Sequence, residues 1–215
     1  MGPLFSISRD ELVARLRAGG CVFAEEEAAL LGEAAASRAG LDAFVTRRLA
    51  GEPLEYIVGW TAFCGLRIAV EPGVFVPRRR TEFLVDRAAS LLAGSEHPVV
   101  VDLCCGSGAI GRALAERLAG IELFATDIDP VAVGCARRNL SGHGGVFEGD
   151  VYEPLPRTLR GRVDLLTANA PYVPTGEIAT MPREARLHEA GGTLDGGHDG
   201  LHLQRRIAAG ASAWL

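Results

Sequence analysis

The stretch VVVDLCCGSGAIGRALA, residues 99–115, decides the fold of this chain. Its three opening valines are typical of a strand that is buried on both faces of a parallel sheet. Glycines at 106, 108 and 111 follow in the spacing G-x-G-x-x-G, and a helical pattern begins behind them. Because such a loop lets a ligand approach the backbone closely, the stretch predicts a Rossmann-like α/β unit with a binding site at its glycines.

Strands and helices alternate around this unit. A parallel sheet covered by helices on both faces is therefore expected, with its four strands in the order 3-2-1-4. The predicted strands are 99–103, 121–126, 146–148 and 163–168, and the predicted helices are 81–92, 109–118, 130–139 and 201–214.

The first third of the chain has a different pattern. Residues 8–51 are predicted to be helical, with Ser8 and Glu11 forming a capping box at the first helix, and further helices at 25–38 and 41–50. Residues 54–76 show short β-like runs, including a hairpin in GWTAFCGLRIAV. The predicted domains are thus a helical cap with a β-hairpin linker, residues 1–75, and an α/β domain, residues 76–215.

Composition and charge exclude several classes of protein. A chain of 215 residues suits one domain with a small appendage, and a net charge of −5 argues against stable binding to nucleic acid. The five cysteines show no C-x-x-C spacing, so neither a disulfide framework nor a metal site is predicted. Neither a signal sequence nor an apolar run of membrane-spanning length is present, and a cytoplasmic protein without membrane contact is expected.

Asp102 separates two ligands that such a glycine loop can bind. A nicotinamide dinucleotide would place its pyrophosphate at the loop, where a carboxylate four residues before Gly106 would repel it. S-adenosylmethionine carries a sulfonium and an ammonium but no phosphate, so it is compatible with a nearby acid. The alternative is that Asp102 only caps the following turn.

Two further acids follow predicted strands. Asp127 ends the second strand and is expected to accept hydrogen bonds from the ribose hydroxyls of the methyl donor, with Ile128 beside it in the predicted binding set. Asp150 follows the third strand and is a candidate acceptor for the adenine amine, although turn chemistry explains it almost as well. Val151 or Tyr152 would then cover the purine.

The fourth predicted strand ends in the tetrapeptide NAPY, residues 169–172. The side-chain oxygen of Asn169 and the backbone carbonyl of Ala170 are two acceptors that match one NH₂ group, from a carboxamide or an aromatic amine. Pro171 stiffens the corner and Tyr172 offers an aromatic face to a planar group. These four residues are the predicted catalytic set, and Asn169 also faces the donor. The alternative is an asparagine that only turns the chain.

With these residues in view, the chain resembles the release factor glutamine methyltransferase family. The resemblance covers about residues 40–215 and rests on the motifs GEPLEYIVGWTAFCGLRIAV, FVPRRRTEFLV, DLCCGSGAIG, ATDIDPVAV, NAPY and LDGGHDGL. It implies S-adenosylmethionine as cofactor and, as partner, a protein substrate that exposes a glutamine in a loop. It also implies that the donor is bound by Asp127 and by the loop residues Cys104, Cys105, Gly106, Ser107 and Gly108, and that the substrate amide lies at 169–172.

The chain departs from the family pattern at two site motifs. Where the family usually has Asn-Pro-Pro-Tyr, the second position here is Ala170. Where it usually has Pro-Arg-Pro-Glu-Thr-Glu, residues 77–82 here are PRRRTE. These features resemble a branch of the family known mainly from actinobacteria, whose target is unassigned. The predicted substrate-binding residues are Arg78, Arg79, Arg80, Thr81, Asn169 and Tyr172, although a solvated loop explains the arginines equally well.

A third departure concerns the end of the sequence. The family continues past a helix such as 201–215 into another strand and a hairpin, so the C-terminal strands are expected to be missing here. The fourth strand would then lie at an edge of the sheet.

Three functions from different classes compete. The leading interpretation is methylation of a protein glutamine, with a release factor as first candidate. The second is methylation of the exocyclic amine of adenine in nucleic acid, because Asn-x-Pro-Tyr suits that chemistry too. The third is a non-catalytic binding protein of methyltransferase-like fold.

Overall fold

A computed structural model describes residues 8–181, 183–189 and 191–215. The chain divides after Gly59 into two units, and the second runs from Trp60 to Leu215. The hairpin that the sequence analysis grouped with the helical cap belongs to this second unit. The assignment of residues 1–75 and 76–215 as functional domains stays a prediction.

The first unit consists of four helices. They are α1 (Arg9–Ala18), α2 (Ala24–Ala34), α3 (Arg38–Leu49) and α4 (Leu54–Val58). The predicted capping box is confirmed, because the Ser8 hydroxyl accepts from the Glu11 amide at 3.1 Å and the Glu11 carboxylate accepts from the Ser8 amide at 2.8 Å. Fully buried side chains of the three longer helices, including Leu16, Leu31 and Val45, form the core of this unit.

Two predictions for this unit were wrong in detail. The helix expected over 25–38 ends at Ala34, since Ala35 is extended and the Ser37 hydroxyl caps α3 through the Gly40 amide. The segment 54–58, expected to be β-like, is the short helix α4. It begins after Pro53 and ends at Gly59, whose φ of +82° closes the helix in the left-handed conformation.

The second unit begins with the predicted hairpin. Strands β1 (Trp60–Phe63) and β2 (Leu66–Ala69) pair antiparallel, with Trp60 opposite Ala69. Its turn residues, Cys64 at φ +50° and Gly65 at φ +78°, both lie in the left-handed region that a two-residue hairpin turn requires.

Four parallel strands form the central sheet. They are β3 (Val99–Leu103), β4 (Glu122–Asp127), β5 (Gly144–Glu148) and β6 (Leu165–Ala168), in the order β5-β4-β3-β6. The predicted order is confirmed. Every residue of β3 is buried, as expected for the strand with neighbours on both sides. Within the described part of the chain, β6 pairs with β3 alone.

Helices cover both faces of this sheet. Helices α5 (Glu82–Leu91), α6 (Ala109–Arg117) and α7 (Pro130–Asn139) pack on the face that contains Val100 and Leu123. Helix α9 (His202–Ala211) and the following Trp214 pack on the face that contains Val99 and Val101. Side chains alternate between the two faces because successive strand residues point in opposite directions. The fold class predicted from the sequence is thereby confirmed.

A long connection links β6 to α9. It contains 3₁₀ turns at Thr175–Thr180 and Gly191–Thr193 and the short helix α8 (Arg183–His188). Two parts of this connection lie side by side, because Val173, just after β6, forms an isolated parallel β-bridge with Asp195. Among the described residues, no helix is both long enough and apolar enough to span a membrane.

Candidate active site

A cavity of about 210 Å³ lies at the carboxyl ends of the parallel strands. Parallel sheets bind ligands at this edge, because the loops that leave the strands meet there. Most of the predicted site residues line it, whereas Asp102, Gly108 and Arg79 do not. The predicted residues that line the cavity are Arg78, Arg80, Thr81, Cys104, Cys105, Gly106, Ser107, Asp127, Ile128, Asp150, Val151, Asn169, Ala170, Pro171 and Tyr172.

The glycine loop lies in the left-handed region at three of its residues. The φ angles are +53° at Cys104, +55° at Gly106 and +76° at Gly108. A Cβ atom at Gly106 would meet no atom within 4 Å, so this position needs glycine for its backbone angle rather than for space. A Cβ at Gly108 would lie 3.2 Å from the Ala136 side chain of α7, so glycine allows the loop to pack closely against this helix.

Asp127 holds the loop and keeps hydrogen-bonding capacity for a ligand. One carboxylate oxygen accepts from the Gly106 amide at 2.8 Å and the other from the Asp129 amide at 3.0 Å. Partial burial raises the pKa of this carboxyl above its ordinary value. Each oxygen has a further lone pair, so the carboxylate can still accept from a pair of hydroxyl groups in the cavity.

Asp102 lies behind the loop, fully buried at the end of β3. Its carboxyl accepts from the Thr167 hydroxyl at 2.9 Å and from the Gly111 amide at 3.2 Å. Burial, reinforced by the charge of Asp127, raises its pKa to about 7. The residue therefore ties β3 to β6 and to the first turn of α6, and its direct contact with a ligand stays a prediction.

Like the glycine loop at Cys104, the loop after β5 contains a non-glycine residue in the left-handed region. Val151 is buried with a φ of +51°, a conformation that a β-branched side chain rarely adopts. The Thr126 hydroxyl holds it there by donating to the Val151 carbonyl at 2.8 Å. Asp150 lines the cavity, and its carboxylate accepts from Arg206 of α9 at 2.6 Å. Non-glycine residues held in this region cluster at ligand sites, which favours a binding role for this loop.

The tetrapeptide NAPY directly follows β6 and faces the same cavity. The Asn169 side chain makes no hydrogen bond to any described residue, so both of its polar atoms are available to a ligand. Ala170 is buried, and the Pro171 carbonyl accepts from Gln204 of α9 at 3.0 Å. Tyr172 is 47% exposed at the rim. One cavity is therefore lined both by the glycine loop and by the Asn169 side-chain amide, whose oxygen can accept from a ligand.

The three arginines have different environments. Arg78 donates to the buried carboxylate of Glu189 and lies over the Phe75 ring at 4.9 Å. Arg80 donates to the Tyr172 hydroxyl and lines the rim. Arg79 is exposed and lies outside the cavity lining. The substrate-binding role predicted for all three stays a prediction, and the contacts favour Arg80 as the arginine closest to the tetrapeptide.

Several residues that support the site were missed by sequence reasoning. Glu189, Gln204 and Arg206 contact predicted site residues from the segment after β6. The motif LDGGHDGL lies in this segment, but a single sequence carries no signal for its contact partners. Phe63 of the hairpin, Phe75, Met181, Leu194 and Leu203 add apolar walls to the cavity.

The chain matches the sequence model of a known protein family. The sequence model of the methyltransferase small domain family matches residues 65–200. The chain belongs to this family.

Relatives of this methyltransferase small domain protein include enzymes of several bacteria. The chain is 39% identical over 174 residues to "Release factor glutamine methyltransferase" of Geobacter sulfurreducens, covering 80% of this chain and 60% of the relative. It is 37% identical over 221 residues to the protein of the same name from Moorella thermoacetica. This match covers 100% of this chain and 72% of the relative. These relatives confirm the resemblance identified in the sequence.

A relative with a different name is equally similar. The chain is 37% identical over 178 residues to "4-amino-L-phenylalanine/4-methylamino-L-phenylalanine methyltransferase" of Streptomyces pristinaespiralis, covering 80% of this chain and 63% of the relative. The chain spans between 58% and 72% of the length of the curated relatives it matches. Among solved structures, the catalytic domain of hMettl16 in complex with a MAT2A 3′UTR hairpin shares the fold, with a TM-score of 0.52 and 16% identity, over 86% of this chain and 62% of that one.

Proposed function

We propose that this chain carries the catalytic residues of an enzyme that methylates the side-chain amide of a glutamine in a protein, using S-adenosylmethionine, with a peptide-chain release factor as the first candidate substrate. One observation carries the proposal. The unengaged amide of Asn169 and the neighbouring Ala170 line the same cavity as the glycine loop and Asp127. The names of the relatives from Geobacter and Moorella support the choice of glutamine.

The chemistry of the loop fits this cofactor better than a dinucleotide. Burial, together with the charges of Asp127, Asp102 and Asp150, raises the pKa of the Cys104 thiol to about 12. Burial is the largest cause of this shift, and the carboxylates add to it. The carboxylates of Asp127 and Asp150, which line the cavity, favour a bound cation and disfavour a pyrophosphate. When bound, S-adenosylmethionine supplies a methyl group activated by a sulfonium. Asp127 would accept from its ribose hydroxyls, and Cys104–Gly108 would approach it through the backbone.

The tetrapeptide would bind and orient the methyl acceptor. Asn169 Oδ1 and the Ala170 carbonyl would each accept one hydrogen of a single NH₂ group. A carboxamide nitrogen is a poor nucleophile because its lone pair is delocalised. Holding both hydrogens favours the pyramidal, partly positive nitrogen of the transition state over the planar ground state. The nitrogen becomes acidic as it forms the new bond to carbon, so its surplus proton can pass to water without a strong base.

A small aromatic amine is the second candidate acceptor. Its NH₂ group would fit the same two acceptors, and the Tyr172 ring would stack against its plane. Arg80 approaches this ring to 5.7 Å from its centroid and is placed to receive a carboxylate. The name of the Streptomyces pristinaespiralis relative supports this candidate. Base methylation in nucleic acid is supported by the Asn-x-Pro-Tyr motif, whereas the likeness to the hMettl16 catalytic domain, at 16% identity, concerns the fold alone.

A methyl-transfer assay with parallel substrates tests the proposal. The protein is incubated with tritiated S-adenosylmethionine and, separately, with purified release factor, 4-amino-L-phenylalanine, ribosomal RNA and DNA. We expect label on a glutamine of the release factor and none with Asn169→Ala. Label on the amino acid alone would establish the second candidate instead. Label on adenine, with none on protein, would refute both.

A further inference from the structure

We propose that Gln204 of α9 is a positioning residue that sets the orientation of the acceptor pair formed by Asn169 and Ala170. The inference rests on the proposed function, because it concerns how that pair receives an NH₂ group. Gln204 does not line the cavity, and it acts through the backbone of Pro171.

The contact that carries the inference is a single hydrogen bond. Gln204 Nε2 donates to the Pro171 carbonyl at 3.0 Å. The Oε1 atom of the same amide is buried and has no hydrogen-bond partner in the described part of the chain. The opposite amide orientation would place two acceptors against each other, so the contact fixes which atom faces the carbonyl.

Fixing the Pro171 carbonyl fixes the peptide group that precedes it. The proline ring restricts φ of Pro171, and the hydrogen bond from Gln204 restricts ψ. The peptide between Ala170 and Pro171, which carries the Ala170 carbonyl, then cannot rotate relative to the next peptide. Since position 170 is alanine, no second ring restricts this corner from its other side.

The segment after Pro171 is held separately by the motif LDGGHDGL. The Val173 amide donates to the Leu194 carbonyl at 3.0 Å, and the Gly196 amide donates to the Val173 carbonyl at 2.8 Å. A Cβ atom at Gly200 would lie 2.4 Å from the Tyr172 carbonyl oxygen, so this close approach requires glycine. Residues 172 and 173 are therefore anchored, and β6 anchors residue 168. Gln204 supplies the restraint between these two anchors.

Because its Oε1 atom has no hydrogen-bond partner among the described residues, Gln204 is expected to contribute more to the orientation of the tetrapeptide than to the stability of the fold. A buried amide that satisfies only one of its polar atoms gains little net stability over an apolar side chain of the same length. Methionine has that length and carries no donor. Gln204→Met would remove the buried acceptor without a partner, Oε1, and would leave the Pro171 carbonyl without its donor.

Steady-state kinetics of Gln204→Met test the inference. We expect kcat to fall about tenfold, the scale of one lost hydrogen bond, while the KM for the donor and the melting temperature stay close to those of the wild type. Gln204→Glu, which sets a carboxylate against the Pro171 carbonyl, should lower kcat further. Arg205→Met is the matched control, because Arg205 is an exposed neighbour on α9 that pairs with Asp199 instead. An unchanged kcat in Gln204→Met would overturn the inference.

Amide hydrogen exchange provides a readout that does not depend on activity. In Gln204→Met, exchange should increase at the amides of residues 169, 170, 172 and 173, since Pro171 has no amide hydrogen, and stay unchanged in α6 and α7. A positioning role would be refuted by faster exchange throughout the second unit. It would also be refuted if exchange in the segment 169–173 did not increase. If the wild type methylates no substrate, the proposed function fails, whereas the exchange experiment still decides whether Gln204 orders the tetrapeptide.

Discussion

Replacing the buried Asp102 by asparagine should stabilise the protein at alkaline pH and leave it nearly unchanged at acidic pH. The carboxyl has no exposed surface and, among the described residues, receives two hydrogen bonds, from Thr167 and Gly111. Asparagine can preserve both contacts. Its oxygen can accept from the Gly111 amide, and its NH₂ group can donate to the Thr167 hydroxyl, which lies 3.5 Å from the Val101 carbonyl and can donate there.

The magnitude follows from the pKa of Asp102, which burial raises from 3.8 to about 7. Between these two values the folded protein binds more protons at this group than the unfolded chain does. The free energy of unfolding therefore falls as the pH rises from about 4 to about 7, and the loss is complete above that window. A shift of three units corresponds to at most about 4 kcal/mol, since one unit is worth about 1.4 kcal/mol.

Thermal unfolding of the wild type and of Asp102→Asn between about pH 5 and about pH 8 measures this difference. The melting temperature of the variant should exceed that of the wild type by a margin that grows with pH, at about 2–4 °C per kcal/mol for a chain of this size. Glu96→Gln, at an exposed carboxylate before β3 that makes no hydrogen bond or ion pair with the described residues, is the control for removal of one negative charge. A difference that does not change with pH, or a variant that is less stable at pH 8, would refute this account of Asp102.

The remaining predictions concern the site itself. Asp127→Ala should weaken donor binding by about 1.5–3 kcal/mol, as for hydrogen bonds to a charged group; titration calorimetry with the donor and with NAD measures this, and tight NAD binding would contradict the assignment. Asn169→Ala should leave donor affinity nearly intact but lower the rate of transfer by about 10²–10³-fold, the loss seen when one transition-state hydrogen bond is removed; normal turnover would show that the amide does not bind the acceptor. Arg78→Met should lower the free energy of unfolding by about 1.5–3 kcal/mol, because Arg78 donates to the buried Glu189 carboxylate. Arg79→Met, at an exposed neighbour, should have little effect, and equal losses for both variants in denaturant titrations would argue against this distinction.

Much of the second unit could be predicted from local patterns. Strand β3 and helix α7 begin and end where the sequence analysis placed them, and the strand order was correct. Each of these elements has a local cause. The valines of β3 match a buried strand, and Asp129 followed by Pro130 matches a helix start, where the Asp129 carboxylate accepts from the Val131 amide at 2.9 Å.

The predictions that failed, or that the structure refined, depended on contacts distant in sequence. Asp102 was expected at the mouth of the loop. It shares the α6 face of β3 with Val100, and the carboxyl meets the Gly111 amide inside the fold. The three arginines are consecutive in the sequence and were predicted to share one role. In the structure, Arg78 contacts the carboxylate of Glu189, which lies 111 residues further along the chain. Nothing in the local sequence of either residue indicates that pairing.

The sequence by itself determined the alternation of strands and helices from β3 to β6 and the polar residues that follow those strands. Both depend on backbone propensities and on the period of apolar residues, which act over a few neighbouring positions. The tertiary structure alone decided which polar groups stay available at the cavity. The segment after β6 engages Arg78, Asp150 and the Pro171 carbonyl but leaves the Asn169 amide without a partner among the described residues. Whether a side chain is used internally or remains available to a ligand depends on which distant segment packs against it, and a single sequence does not contain that information.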